Sequence, residues 1–168
     1  MKRYLEYDGL KVLAHRGGVD ESYENTLESF NYSQSLGCEF IETDVQVSSD
    51  GIPYIFHDDD LKRILNKSIR FDSLSSNEID ELNIFNTHKI PKLSEALLTF
   101  PNLCFQIDFK TDEVVMPALD VIKSMNAFDR VCIASFNSKR LQNVRSLYPD
   151  LCISMGPNEV FKTLAASL

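Results

Sequence analysis

Glu42 and Asp44 stand two residues apart in Phe40-Ile41-Glu42-Thr43-Asp44-Val45, a run of β-formers bounded by Gly37 and by Asp50-Gly51. On a strand, residues i and i+2 share a face, so both carboxylates project to one side. Buried together they repel each other and lose hydration, and a divalent cation relieves both costs. Asp108 adds a third carboxylate, and the three together suit a hard, oxygen-seeking ion such as Mg²⁺ or Ca²⁺. Arg16 offers a planar fork matched to phosphate, and Lys110 a point charge. His15 and His57 each follow an apolar run. Because imidazole titrates near neutrality, the two can act as acid and base across one phosphoester bond. Each part alone also has a plainer reading. Glu42 and Asp44 fit an edge strand with its polar face in water, a histidine at a strand end fits a structural role, and Arg16 and the Asp108–Lys110 pair fit ordinary surface ion pairs.

A frame that could gather these residues is visible in the pattern of runs. Lys11 to Ala14 reads as a strand ending in the turn His15-Arg16-Gly17-Gly18. After Glu24-Asn25-Thr26, the spacing of Leu27, Phe30 and Tyr32 to Leu36 predicts a helix stopped by Gly37. The strand with Glu42 and Asp44 turns at Asp50-Gly51, and Ile52 to Phe56 returns as a short hairpin strand ending at His57-Asp58. Further strands are expected at Leu103–Phe109, Val131–Ser135 and Leu151–Met155. Helices are expected after Pro91, over Glu113–Met125 with Pro117 near its first turn, over Ser138–Leu147, and from about Glu159. Strand–helix alternation predicts parallel βαβ units. His15, Asp44, Asp108, Lys110 and Ser135 fall at strand carboxyl ends, where a parallel α/β barrel builds its active site. Residues 61–90 are polar and poorly periodic and read as an insertion with one short helix near Asn77 to Leu82. The acidic run Asp58-Asp59-Asp60 and His88 read as solvated surface with no role.

With 168 residues the chain has the size of one domain, spanning 1–168. A net charge of −8 argues against nucleic acid as a partner, but leaves room for a compact anionic substrate if cations gather in one cleft. Cys104, Cys132 and Cys152 lie inside apolar strand-like segments, at spacings of core residues and not of a disulfide frame or a zinc site. Behind Lys2-Arg3, Glu6 and Asp8 interrupt any signal-like apolar run, and no stretch is long enough to span a bilayer. A cytoplasmic setting is expected.

His15-Arg16-Gly17, Glu24-Asn25-Thr26, Glu42-x-Asp44, Asp50-Gly51, His57-Asp58 with Leu61 and Arg63, and Asp108-x-Lys110 occur in one order and at tight spacing. The set resembles the glycerophosphodiester phosphodiesterase family, from about Leu13 to Ser135-Phe136. The resemblance implies a (β/α)₈ TIM-barrel-type α/β fold and metal-dependent hydrolysis of small-molecule glycerophosphodiesters to an alcohol and sn-glycerol 3-phosphate. It implies His15 and His57 as the acid–base pair, Glu42, Asp44 and Asp108 as ligands of a divalent cation (Mg²⁺ or Ca²⁺), and Arg16 and Lys110 as phosphate holders. A barrel phospholipase acting on a lipid phosphodiester, and a non-catalytic phosphate- or partner-binding relative, remain as alternatives. Two positions depart from the family pattern. Tyr23 replaces a proline, which should loosen its turn, and Asp108 replaces a glutamate, which shortens the reach of the third ligand. Five barrel strands are counted where a closed barrel needs eight and about 250 residues, so the barrel is expected to be truncated after about five strands.

Overall fold

The computed structural model describes residues 3–6, 9–18 and 22–166; Lys2 and Asp8 lie outside them. Five parallel strands, β1 (Leu13–His15), β2 (Phe40–Val47), β4 (Cys104–Phe109), β5 (Val131–Ala134) and β6 (Cys152–Ile153), lie side by side in chain order. A sheet that never doubles back is wound in one direction only, as in a barrel, and has no switch point of the doubly wound kind. β3 (Pro53–Ile55) is the hairpin return, antiparallel to β2 with Val45 opposite Ile55. These elements match the strands expected from the sequence.

The helices α1 (Leu27–Ser35), α4 (Leu93–Thr99), α5 (Val115–Ser124) and α6 (Ser138–Leu147) cover one face of the sheet. Val115, Ala118, Leu119 and Ile122 recur at helical spacing on α5 and meet Ile41, Val45, Phe105, Ile107 and Ile133 from the strands. Pro117 is the third residue of α5, where its missing N–H breaks no helical hydrogen bond. Alternation then sends the residues between these to the opposite, interior face. In register across the strands, Leu13, Phe40 and Cys104 form a base layer. His15, Glu42, Gln106, Cys132 and Cys152 come next, and Asp44, Asp108 and Ala134 stand nearest the mouth.

Arg3–Leu5 forms a turn of 3₁₀ helix that crosses the base and packs Tyr4 on Phe40 and on the buried Cys104, Cys132 and Cys152. The base is thus apolar and the mouth charged. Arg130 is buried, and its guanidinium donates to the carbonyls of Leu97 (2.7 Å) in the last turn of α4, of Phe100 (3.2 Å) at its C-cap and of Leu103 (3.1 Å) in the loop before β4.

Residues 61–90 differ from the expected polar excursion. They contain α2 (Lys62–Leu65), a 3₁₀ turn at Phe71–Ser73 and α3 (Ser76–Glu81). Leu61, Phe71, Ile79, Ile84 and Ile90 bury themselves against Tyr54 and Phe56 as a second core. The apolar residues are too irregularly spaced to form a ridge, yet the turns between them bring them to one place. The last helix, α7 (Pro157–Ala166), begins two residues before the expected start.

Candidate active site

Backbone pairing fixes the site. Glu42 lies beside His15 on β1, and Asp44 lies beside Asp108 on β4. After β4 the chain stays against β2, with Lys110 N donating to Val45 O (3.2 Å). After β3, Phe56 N donates to Asp44 O (3.0 Å), which brings His57 to the same end of the sheet. All seven residues singled out by the sequence line one cleft of about 820 Å³: His15, Arg16, Glu42, Asp44, His57, Asp108 and Lys110. Its far wall is apolar, with Phe136, Met155, Val160, Phe161 and Leu164.

Two carboxylates directly opposite on paired strands repel each other. Lys110 offsets this for Asp44 and Asp108, its Nζ lying 2.7 Å from Asp44 Oδ1 and 2.6 Å from Asp108 Oδ2. Burial works against the Lys110 ammonium, but the hydrogen bonds to Asp108 and Asp44 outweigh it and raise its pKa. Asp44 Oδ2 accepts from Asn25 Nδ2 (2.9 Å) and has Arg16 Nε 3.2 Å away, an ion pair whose angle does not make a hydrogen bond. Thr43 donates to Asn25 Oδ1 (2.8 Å), which fixes that amide. Glu42 lies outside the Lys110 bridge. Burial first, and then the neighbouring Asp44, push its pKa up to about 7, while the backbone N–H of Arg16 pulls the other way.

The fit to a divalent cation follows from these contacts. Among the described residues Asp108 Oδ1 is buried without a hydrogen-bond partner, and three carboxylates are gathered where Arg16 and Lys110 are the lysine and arginine side chains paired with them. Among the described residues, no three His, Cys, Asp or Glu side chains are already gathered as a metal cage, since Lys110 holds the place between two of the carboxylates. The donor set suits a hard cation in chemistry and charge, and Lys110 must shift to admit one.

The turn that carries His15 and Arg16 is tightly made. Arg16 (φ 51°) and Asn25 (φ 56°) both sit in the left-handed region, a strain of about 1–3 kcal/mol each that surrounding contacts must hold. Asn25 N donates to Arg16 O (2.8 Å), and Ser29, in the first turn of α1, donates to the same carbonyl (3.3 Å). Gly17 (φ +82°) packs so closely on α1 that a Cβ there would lie 2.7 Å from Phe30 Cδ1 and closer still to Ser29 Oγ. Gly17→Ala is therefore expected to cost about 2–4 kcal/mol through left-handed strain and overpacking together. Urea unfolding checks this, and an unchanged midpoint would show that the turn tolerates a side chain.

Several residues enter the site that the sequence reading left out. Asp58 is not a solvated acid, because its Oδ1 meets His57 Nδ1 at 2.6 Å and its Oδ2 accepts from Arg63 Nε at 2.7 Å. Gln46 binds the Asp58 carbonyl and Asp59 Oδ1, both at 3.2 Å, and so steadies the loop. His88 is not free surface either, with Glu28 3.3 Å from its Nδ1 and the Tyr23 ring against it. Tyr23 is tied into its turn by its carbonyl and its ring. It accepts from Thr26 Oγ1 (2.8 Å) and stacks on Phe85 at 4.8 Å. Ser135 donates to Phe109 O (2.9 Å), a wall contact. Glu24, Asn25 and Arg63 were visible as motif letters, but nothing in their spacing tells which atoms they hold.

The sequence model of the glycerophosphoryl diester phosphodiesterase family matches residues 15–156, which include every one of these positions. The chain belongs to this family. A Caldanaerobacter subterraneus subsp. tengcongensis protein named glycerophosphodiester phosphodiesterase is 31% identical over 158 residues, covering 86% of this chain and 65% of its own. A Mycobacterium tuberculosis relative, named "Probable glycerophosphodiester phosphodiesterase 2", is 30% identical over 165 residues, covering 97% of this chain and 62% of its own. Among solved structures, an Oleispira antarctica phosphodiesterase in complex with the product sn-glycerol-3-phosphate superposes with a TM-score of 0.79 at 28% identity, covering 86% of this chain and 64% of that one. The glycerophosphoryl diester phosphodiesterase barrel is therefore represented here by five of its strands, and the chain spans less than two thirds of the length of these relatives. Among the described residues no helix is long and apolar enough to cross a membrane.

Proposed function

We propose that this chain carries the catalytic half-site of a metal-dependent phosphodiesterase that cleaves glycerophosphodiesters to an alcohol and sn-glycerol 3-phosphate. The observation that carries the reading is that both histidines, both candidate phosphate-holding cations and all three carboxylates line a single cleft. Hydrolysis needs one proton taken from the attacking oxygen and one given to the departing alkoxide. His57 suits one of these tasks, because Asp58 engages its Nδ1 and leaves Nε2 for the cleft. His15 suits the other, standing at the end of β1 with its Nε2 3.9 Å from Glu42 Oε2. Arg16 and Lys110 would hold the phosphate. Glu42, Asp44 and Asp108 would hold the divalent cation, Mg²⁺ or Ca²⁺, which when bound would neutralise phosphate oxygens as charge develops. The substrate is a soluble small molecule. Cys104, Cys132 and Cys152 are packed as buried thiols in the base of the sheet, which suits a reducing compartment, and on that ground we place the reaction in the cytoplasm.

The test is hydrolysis of glycerophosphocholine by the 168-residue chain with Mg²⁺, with Ca²⁺ and with a chelator. Glycerol 3-phosphate released with metal and suppressed by chelation is the expected result. No release under any of the three conditions would overturn the reading.

A further inference from the structure

Arg63 lies on α2, outside the acid–base pair and the carboxylate set, yet it joins them. Its Nε donates to Asp58 Oδ2 at 2.7 Å, its Nη1 donates to Glu24 Oε2 at 3.1 Å, and its Nη2 donates to Glu24 Oε1. Asp58 in turn holds His57 Nδ1, and Glu24 Oε1 also accepts from Arg16 Nη1 at 3.2 Å. A line of alternating charge thus runs from His57 through Asp58, Arg63, Glu24 and Arg16 to Asp44. It ties residues 24 and 63, which are 39 apart in sequence, across the mouth of the cleft.

We propose that Arg63 is a positioning residue that aims His57 and Arg16 into the cleft by clamping Asp58 and Glu24 at once. The inference rests on the hydrolytic reading above for what the two aimed side chains do, and on the contacts alone for how they are held. Its chemistry is that of a forked donor. Burial opposes ionisation of Asp58, but the hydrogen bonds from Arg63 and His57 outweigh it and hold its pKa below the ordinary carboxylate value. An ionised Asp58 can only accept, so the Nδ1 of His57 carries the proton and a neutral ring keeps its Nε2 lone pair for the cleft. Glu24 is shared between two guanidinium groups. Held by the fork of Arg63, it meets Arg16 through one oxygen and not as a closed bidentate pair, so Arg16 can still face an anion. A lysine, as a point charge without the planar fork, does not reproduce the bidentate hold on Glu24 together with the contact to Asp58. The Arg63 side chain is 48% exposed, so a role in stability alone would be small and its loss should barely move the melting temperature.

The experiment follows the Nδ1 proton of His57 by NMR in the parent chain and in Arg63→Ala and Arg63→Lys, with the resonance assigned by its absence in His57→Gln. The kinetics of the same proteins are measured in parallel. In Arg63→Ala the downfield Nδ1 resonance is expected to disappear, and turnover to fall by about 10- to 100-fold with most of the loss in kcat. Arg63→Lys should recover part of each. An Nδ1 resonance unchanged in Arg63→Ala would overturn the clamp, whatever the rate does. If the parent chain turns over no substrate, the hydrolytic reading fails, while the response of the resonance still decides for or against the clamp.

Discussion

His57→Ala is expected to lower kcat for glycerophosphodiester hydrolysis by about 10²- to 10⁴-fold, the range that one general acid or base supplies. The fold should survive the change. His57 is a third exposed and follows the short strand β3, and the backbone around it is held by other groups: Phe56 N on Asp44 O, and Gln46 on the Asp58 carbonyl. Removing the ring therefore deletes chemistry and leaves Asp58 to Arg63 alone. The comparison with His15→Ala sharpens the expectation. If the two rings act at the two ends of one displacement, the double variant should fall well short of the product of the single losses, because residues that work as a unit are not additive. Release of glycerol 3-phosphate gives the rate, and urea unfolding gives the control for folding. A parental rate in His57→Ala would remove that histidine from the mechanism.

Much of this arrangement could be read from the chain because it depends on short, regular periods. Period-2 alternation put Glu42 and Asp44 on one face, and βα alternation put their strand beside those ending in His15 and Asp108. The parts that escaped depend on pairing between distant segments. Three aspartates in a row look like one solvated patch. In the folded chain they go to three separate places: Asp58 to His57 and Arg63, Asp59 to Gln46, and Asp60 to the first N–H of α2 at Lys62. Residues 61–90 hid their core because Leu61, Phe71, Ile79, Ile84 and Ile90 follow neither helical nor strand spacing. Lys110 was read as a phosphate holder from its charge and motif. That it bridges Asp44 and Asp108 follows only from the register of β2 and β4, which sets the two carboxylates side by side.

Lys110→Met isolates that bridge. The side chain is 16% exposed, and its ammonium stands within 2.7 Å of both carboxylates, so the substitution leaves two buried acids facing each other without their shared cation. Asp44 keeps Arg16 and Asn25, but Asp108 keeps no cation within salt-bridge reach among the described residues. Breaking a buried pair in this way is expected to destabilise the chain by about 3–5 kcal/mol at neutral pH, a large share of the roughly 5–15 kcal/mol that holds a domain together. The same substitution vacates the place a divalent cation would take, so Mg²⁺ or Ca²⁺ should restore stability to the variant more than it raises that of the parent. At a concentration one hundred times the dissociation constant, that recovery is about 2.7 kcal/mol. Urea midpoints of both proteins, with metal and with chelator, measure the loss and the recovery without any assay of turnover. A variant that loses stability but does not respond to either cation would mean that Glu42, Asp44 and Asp108 need Lys110 as their counter-ion and do not hold a metal. A variant as stable as its parent would mean that the two aspartates share a proton in place of the ammonium.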